Sequence, residues 1–359
     1  MFKISDKYIN CKCGLHLDEY QHIKDGEKGI INSKGNFTSC CNRPHLSRNE
    51  YNSIIPKIID EFIKAGFYET IKHFSRDKNK NYFKNLIKDE TDIDNITSQK
   101  TKNDNQFIRS YMPHIYETCD YNGINLKDQW TKSKLEHAFK LLDKPNYTVN
   151  SYLSEILKRL KFNPVTIYPA IMTKSLLNRY DCKNVFDPCI GWGGRMLGTT
   201  CLGGHYTGCE PYTKTYNGLN KMISDLNLQD NTEIYNIGVE EILDKLDDKY
   251  FDACITSPPY YNLEVYTDED TQSIQKFKTY EEWIDNFMKP IIEYVCNHVE
   301  KVSCWSVKNI KTDSKYELLN DVIKLHEEYG WKLIDKYGVK KNLNSESVDG
   351  DITYIFVKI

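Results

Sequence analysis

Apolar and polar positions follow a regular pattern from about residue 151 to the end of the chain. Short apolar runs of strand length alternate there with segments that carry apolar residues at helical spacing. Such alternation predicts a doubly wound α/β sheet. The predicted strands are NVFDPC, HYTGCE, TEIYNIG, FDACIT and KVSCWSV, then two near WKLIDKYGV and ITYIFVKI. The predicted helices are GGRMLGTTCL, TYNGLNKMISDL, VEEILDKL, TYEEWIDNFMKPIIEYV and YELLNDVIKLHEEY.

Two further regions precede this predicted sheet domain, which spans residues 151–359. Residues 48–150 are predicted to be mostly helical, because IIPKIIDEFIKAGF and KLEHAFKLLDK have apolar residues at helical spacing. The polar stretch KDETDIDNITSQKTKNDNQ between them predicts a solvated loop. This region is either an accessory cap on the sheet or a target-recognition region. Residues 1–47 form a small segment rich in Cys, Gly and turn formers.

Composition narrows the class of protein. The chain has 359 residues, enough for two domains, and its 26 Tyr and 14 Phe can build a substantial core. A net charge of -3 excludes a protein that coats nucleic acid, so nucleic-acid contacts would need local basic patches. The sequence has no secretory signal at MFKISDKYIN and no apolar run long enough to cross a membrane. We therefore expect no membrane partner, and a cytoplasmic protein (host cytoplasm if it is viral) with reduced thiols.

A glycine-rich segment, FDPCIGWGGR, joins the first predicted strand to its helix. Glycines permit a tight turn and a close approach of the backbone to a ligand, and the helix start offers N–H groups to a carboxylate. An acid at the end of the next strand can accept hydrogen bonds from ribose hydroxyls. The predicted cofactor-binding residues are Asp187, Pro188, Gly191, Gly193 and Glu210. An ordinary turn followed by a surface glutamate is the alternative.

A second motif follows the fourth predicted strand, FDACIT. Ser257, Pro258, Pro259 and Tyr260 are the predicted catalytic residues. The prolines stiffen the chain and leave carbonyl groups free, so the Ser257 side chain and the Pro258 carbonyl can together hold an amino group. Tyr260 offers a flat face on which a base can stack. These features indicate a pocket for an extruded nucleobase that carries an NH₂ group. A proline turn with a core tyrosine is the alternative.

These two motifs resemble those of the amino-group DNA methyltransferases, which methylate N4 of cytosine or N6 of adenine. The family's cofactor motif, Asp-Pro-Phe-x-Gly-x-Gly, is matched by Asp187–Gly193, with Cys189 in place of Phe. The catalytic motif is an Asp, Asn or Ser followed by Pro-Pro and an aromatic residue, and Ser257–Tyr260 matches it. The resemblance implies a Rossmann-like methyltransferase sheet, a glycine loop that holds S-adenosylmethionine, Glu210 on its ribose, and DNA as the substrate.

Three further features bear on the resemblance. The segment Asn163–Pro169 is similar to the family's motif that packs beside the methionine part of the cofactor. The third-strand motif reads Asn236–Glu240 and departs from the family where an acid usually lies near the adenine ring. Serine at position 257 is commoner in cytosine enzymes, although many of those have their two motifs in the opposite order. N4 of cytosine is therefore slightly preferred over N6 of adenine as the target.

Two other classes compete with a DNA methyltransferase. RNA and protein-glutamine methyltransferases share the motif but tend to carry Asn or Asp where this chain has serine. A non-catalytic nucleic-acid-binding protein on the same fold is the third class, and the intact glycines and catalytic motif oppose it. Lys308 and Lys311 follow the fifth predicted strand and are candidates for phosphate contacts, with a solvated charged face as the alternative.

The four N-terminal cysteines, Cys11, Cys13, Cys40 and Cys41, are a candidate zinc site. Four cysteines in a short cytosolic segment of low apolar content suggest a metal that compensates for a small core. Their spacings are tighter than the two to four residues usual in zinc modules. Unligated reduced thiols are the alternative.

Overall fold

The computed structural model describes residues 22–24, 27–31, 37–39, 48–68, 81–120, 122–140, 165–311, 315–345 and 347–359. The chain divides into two compact units. The first comprises Met1–Arg76 and Asn125–Pro164, and the second comprises Asp77–Ile124 and Val165–Ile359. The helical region predicted over 48–150 is thus divided between both units, and its division into functional domains stays a prediction.

Among the described residues, the strands fall into four sheets. They are β1 (His22–Lys24), β2 (Glu27–Ile31), β3 (Phe37–Ser39), β4 (Cys119–Asp120), β5 (Asn184–Asp187), β6 (His205–Cys209), β7 (Thr232–Tyr235), β8 (Phe251–Thr256), β9 (Glu264–Val265), β10 (Val299–Ser306), β11 (Ile310–Lys311), β12 (Lys315–Tyr316), β13 (Trp331–Lys340) and β14 (Val348–Lys358).

The α-helices connect and flank these strands. They are α1 (Arg48–Ala65), α2 (Tyr82–Lys88), α3 (Ser98–Tyr111), α4 (Lys132–Lys140), α5 (Ala170–Arg179), α6 (Gly194–Thr200), α7 (Thr213–Leu226), α8 (Ser273–Lys276), α9 (Tyr280–Trp283), α10 (Lys289–His298) and α11 (Leu318–Glu328). A π-helical turn, Ile284–Met288, joins α9 to α10.

The second unit is built on a seven-stranded sheet with the order β13-β14-β10-β8-β5-β6-β7. Strands β5, β6, β7, β8 and β10 run parallel, and β14 lies antiparallel between β10 and β13. The chain moves outward from β5 to β7 and then returns to place β8 on the other side of β5. The predicted doubly wound α/β sheet is therefore confirmed, with its switch point between β5 and β8.

Central strands of this sheet are largely apolar because helices cover both faces. In β8, Phe251, Ala253, Cys254 and Ile255 are all at most 2% exposed. The loops that leave the carboxyl ends of β5 and β8 are the ones that carry the two predicted motifs. The fold thus brings the motifs to one edge of the sheet.

The polar stretch predicted as a solvated loop is in large part helical, so that prediction was wrong. It contains a 3₁₀ turn, Ile93–Asn95, and most of α3. Its few apolar residues gather on one side, and Asp104 is buried there as an acceptor for the Tyr82 hydroxyl at 2.8 Å and the Ile171 N–H at 3.4 Å. Burial of one helix face outweighs the weak helical propensity of Asn and Asp. The predicted helix VEEILDKL is instead two 3₁₀ turns, Val239–Glu241 and Leu243–Leu246.

The first unit contains an antiparallel sheet, β1-β2-β3, together with α1 and α4. In it the Phe62 ring stacks on Trp130 with ring centroids 5.8 Å apart. The four N-terminal cysteines lie outside the described residues, so the zinc site stays a prediction. Within the described ranges, no group of three or more His, Cys, Asp or Glu residues is arranged to hold a metal ion. No helix in those ranges is long and apolar enough to span a membrane.

Candidate functional site

The candidate site lies at the switch point of the sheet. Strands β5 and β8 pair in parallel, with Val185 opposite Ala253 and Phe186 opposite Cys254. The glycine loop therefore leaves the sheet directly beside the Ser257–Tyr260 tetrad. In open α/β sheets this crevice is where ligands bind.

Glycine is required by geometry at three positions of the loop. Gly191 and Gly193 have φ angles of 57° and 87°, in the left-handed region that side chains disfavour. A Cβ atom on Gly193 would lie 2.6 Å from Leu219 Cδ2, and one on Gly194 would lie 1.9 Å from the Tyr168 carbonyl oxygen. Tyr168 belongs to the segment Asn163–Pro169, which is predicted to pack beside the methionine part of the cofactor, and its carbonyl oxygen lies against Gly194.

A buried ion pair fixes the shape of the loop, and sequence reasoning missed one of its members. Asp187 accepts hydrogen bonds from Arg195 Nε and from the Tyr206 hydroxyl, each at 2.6 Å, and from the Cys189 N–H at 3.2 Å. Arg195 also donates to the carbonyls of Cys189 and of Ile190, the latter at 3.0 Å. The carboxylate of Asp187, predicted to bind the cofactor, thus faces the interior and holds the loop.

The Arg195 guanidinium stays charged although it is buried. The side chains of Arg195 and Asp187 are 4% and 0% exposed. Burial lowers the pKa of Arg195, but the charge of Asp187, its hydrogen bond to the guanidinium and the nearby Tyr206 and Tyr168 together raise it by more, so the net pKa lies above its ordinary value. The Tyr168 ring lies 5.1 Å from the guanidinium and covers one of its faces. Pro188, which begins the turn after β5, is part of the same buried loop.

Glu210 lies at the end of β6, as predicted, and turns its carboxylate toward the loop. Its two oxygens accept hydrogen bonds from the Gly191 N–H at 2.9 Å and the Tyr212 N–H at 2.8 Å. Burial raises the pKa of Glu210 to about 8, although these two hydrogen bonds oppose the shift. Each carboxylate oxygen can accept more than one hydrogen bond, so both can still receive a hydroxyl donor.

A second acid lies near the end of β7. Glu240 folds back over the backbone of Gly238, and its Oε1 pairs with Lys276 Nζ at 2.6 Å. Its Oε2 is buried and has no hydrogen-bond partner among the described residues. A buried carboxylate oxygen without a donor is costly, which makes this atom a candidate acceptor for a ligand. The sequence showed an acid here, but its spacing from β7 did not match the family motif.

The tetrad after β8 presents Tyr260 as a buried residue with three polar neighbours. Its hydroxyl lies 3.0 Å from Asp351 Oδ2 and 3.1 Å from the Ser306 carbonyl oxygen. Lys308 Nζ lies 5.0 Å from the centre of the ring and 2.9 Å from Asp351 Oδ1. Burial first, and then the charge of Asp351, hold the pKa of Tyr260 well above its ordinary value.

The other residues of the tetrad differ in their exposure. Ser257 is half-buried, and its side chain is within hydrogen-bonding reach of the Tyr260 hydroxyl. Pro258 is buried and Pro259 is half-buried. Tyr261, the next residue, lies in the same buried hydrophobic cluster as Tyr260. Its hydroxyl donates to the Lys278 carbonyl at 2.8 Å, and its ring contacts other aromatic rings.

The segment after the tetrad connects the two motifs. Tyr266 donates a hydrogen bond to Glu264, and its ring lies 6.1 Å from that of Trp192 in the glycine loop. Burial raises the pKa of Glu264. Strand β9 holds this segment by pairing with β4, where Val265 lies opposite Cys119. Sequence reasoning found none of these residues, because aromatic and acidic residues in a loop carry no distinctive spacing.

No model of a protein family matches the chain, and no curated protein matches it. Among solved structures of similar fold, TrmN from Thermus thermophilus is 11% identical, with a TM-score of 0.36, over 53% of this chain and 49% of TrmN. An rRNA methylase from Streptococcus thermophilus is 17% identical, with a TM-score of 0.36, over 54% of this chain and 99% of that one. A SAM-dependent methyltransferase from Agrobacterium tumefaciens is 10% identical, with a TM-score of 0.39, over 55% and 64%. This chain thus spans about half the length of TrmN, and the fold assignment rests on its own strand order.

Proposed function

We propose that this chain is an S-adenosylmethionine-dependent methyltransferase that methylates an exocyclic amine of an extruded base in DNA. N4 of cytosine is slightly preferred over N6 of adenine. The observation that carries the proposal is the meeting of the glycine loop and the Ser257–Tyr260 tetrad at one switch point. The Trp192–Tyr266 contact of 6.1 Å connects the two. Each motif alone has an ordinary structural explanation, but their convergence at the one crevice where ligands bind favours a shared site.

The residues around the glycine loop fit the proposed cofactor. Glu210 is the candidate for the ribose hydroxyls, because its carboxylate lies against the Gly191 N–H and keeps accepting capacity. Glu240 Oε2 is the candidate for the adenine amino group, because it is a buried acceptor without a donor among the described residues. The glycines leave room for a ligand to lie on the backbone. Bound S-adenosylmethionine would supply an electrophilic methyl group.

The chain's own residues then orient the amine. The lone pair of an exocyclic amine is delocalised into the ring, so the amine is a poor nucleophile. The Ser257 hydroxyl and the Pro258 carbonyl would accept its two N–H groups and favour a tetrahedral nitrogen whose lone pair points out of the ring plane. Tyr260 would hold the base by stacking, with its ring fixed through the hydroxyl by Asp351. Acceptors already in place stabilise the positive charge that develops on nitrogen.

Replacement of Tyr260 tests this proposal. Tyr260→Ala should lose nearly all methyl transfer, because stacking alone is worth about 1–3 kcal/mol per base and misplacement of the amine adds to it. Cofactor affinity should stay within about twofold of wild type, since Tyr260 has no part in the glycine loop. Tyr260→Phe should keep part of the activity. Tyr261→Phe is the matched control, because it removes a buried tyrosine hydroxyl from the neighbouring position.

Tritiated methyl transfer to DNA and to RNA would report activity, and calorimetry would report cofactor binding. Digestion to nucleosides identifies the methylated base. Methyl label found in RNA alone would replace DNA by RNA as the substrate while keeping the site. Wild-type turnover by Tyr260→Ala on a confirmed substrate would exclude the tetrad as the base pocket.

A further inference from the structure

Lys308 lies over the ring on which the target base would stack. We propose that Lys308 covers Tyr260 in the free protein and leaves when a nucleic-acid phosphate attracts its ammonium group. This inference rests on the proposed function, because it assumes that Tyr260 stacks a base. It makes Lys308 a residue that selects polynucleotides over free nucleosides.

The burial of Tyr260 is the first observation behind this inference. A stacking platform needs an open face, yet Tyr260 is only 5% exposed. It belongs to the large buried hydrophobic cluster that contains Trp283 and Trp305, so part of its surface packs on the core. The Lys308 ammonium lies 5.0 Å above the ring centre. Lys308 itself is 46% exposed, so it is a cover that can move without disturbing the core.

Asp351 holds this cover in place. Ser306, at the end of β10, lies opposite Thr353 of β14, and this register carries Asp351 to the edge of the sheet beside the tetrad. Its Oδ1 pairs with Lys308 Nζ at 2.9 Å, while Oδ2 lies 3.0 Å from the Tyr260 hydroxyl. Departure of Lys308 would therefore leave the Tyr260 hydroxyl bonded to Asp351 and would remove the ammonium group from one face of the ring.

The contacts of Lys308 are weak enough to open. A half-exposed ion pair and an exposed cation–π contact each favour the position of Lys308 over the ring by about fivefold or less. A phosphate next to the target base can replace Asp351 as the partner of the ammonium, and polynucleotides bind by such contacts. A free nucleoside brings no phosphate and must displace Lys308 unaided. The presence of Lys308 over the ring should thus weaken the binding of a nucleoside more than it weakens the binding of a polynucleotide.

Lys308→Ala tests this with two kinds of substrate. Methyl transfer to deoxycytidine and deoxyadenosine should rise about two- to twenty-fivefold in kcat/KM, because both contacts of Lys308 are removed. Binding to a single-stranded oligonucleotide should weaken, with the slope of log Kd against log salt smaller by about 0.7. Lys308→Arg keeps the charge and the ring contact, so it should resemble wild type on both substrates.

Lys311→Ala is the matched control. Lys311 is an exposed lysine three residues later, opposite Lys315 in the β11–β12 pair. Its loss should weaken oligonucleotide binding or leave it unchanged, without any gain with nucleosides. If kcat/KM for nucleosides is unchanged or lower in Lys308→Ala, Lys308 does not cover the Tyr260 ring and this inference is wrong. The proposed function still stands in that case, provided that the wild-type protein methylates the oligonucleotide. If wild-type protein methylates neither DNA nor RNA, the proposed function fails and this inference fails with it.

Discussion

The buried Asp187–Arg195 pair gives the sharpest test of how the glycine loop is held. Arg195→Met keeps most of the side-chain volume but removes the guanidinium. Asp187 would then remain 0% exposed without the partner that now lies 2.6 Å from its Oδ2. The Cys189 and Ile190 carbonyls would lose their donor as well.

Breaking a buried ion pair by removing one partner typically costs about 3–5 kcal/mol, because the remaining charge is left uncompensated. The Tyr206 hydroxyl and the Cys189 N–H still reach Asp187, which places the expected loss of unfolding free energy near the lower end of that range. For a unit of 150–250 residues, about 2–4 °C is lost per kcal/mol, so the melting temperature should fall by roughly 6–12 °C.

A double-mutant cycle with Asp187→Asn measures the coupling by urea unfolding. The double variant should lose less unfolding free energy than the two single variants lose in sum, because it contains no buried charge without a partner. Lys221→Met is a suitable control, because its pair with Asp225 is exposed and should contribute about 1 kcal/mol or less. A loss below about 1 kcal/mol for Arg195→Met, or strictly additive effects, would refute the reasoning.

Three further results are expected. Cofactor affinity measured by calorimetry should rise with pH and level off above about 8, because burial raises the pKa of Glu210 to about 8 and ribose hydroxyls donate to the ionised carboxylate. If a Glu210→Gln variant shows the same rise of affinity with pH, Glu210 is not the residue that binds the ribose. Gly194→Ala should abolish cofactor binding, since its Cβ would lie 1.9 Å from the Tyr168 carbonyl oxygen, and normal affinity would show that the loop can shift. Purified protein never exposed to chelator should contain about one zinc per chain if the four N-terminal cysteines form a site, and metal analysis showing none would exclude it.

The sequence by itself was enough for the central sheet. Strands buried on both faces are largely apolar, and the helices between them carry apolar residues at a different period, so the sequence pattern predicts both. The sequence also predicted the position of the glycine loop, because left-handed backbone at Gly191 and Gly193 admits few residues other than glycine. The tetrad was found from its two adjacent prolines after a predicted strand. The prediction for helix α3 was wrong because one face of the helix packs against α5, where Asp104 accepts a hydrogen bond from the Ile171 N–H, and α5 lies far along the chain.

The tertiary structure alone decided which residues surround the two motifs. Asp351 reaches the Tyr260 hydroxyl across 91 positions of sequence because β14 inserts antiparallel between β10 and β13. Arg195 was visible as a residue of the loop, but only the fold turns its guanidinium inward to Asp187. Hydrophobic periodicity records which face of a strand or helix is buried. It does not record strand order or register, and these two set which distant polar side chains meet at the edge of the sheet.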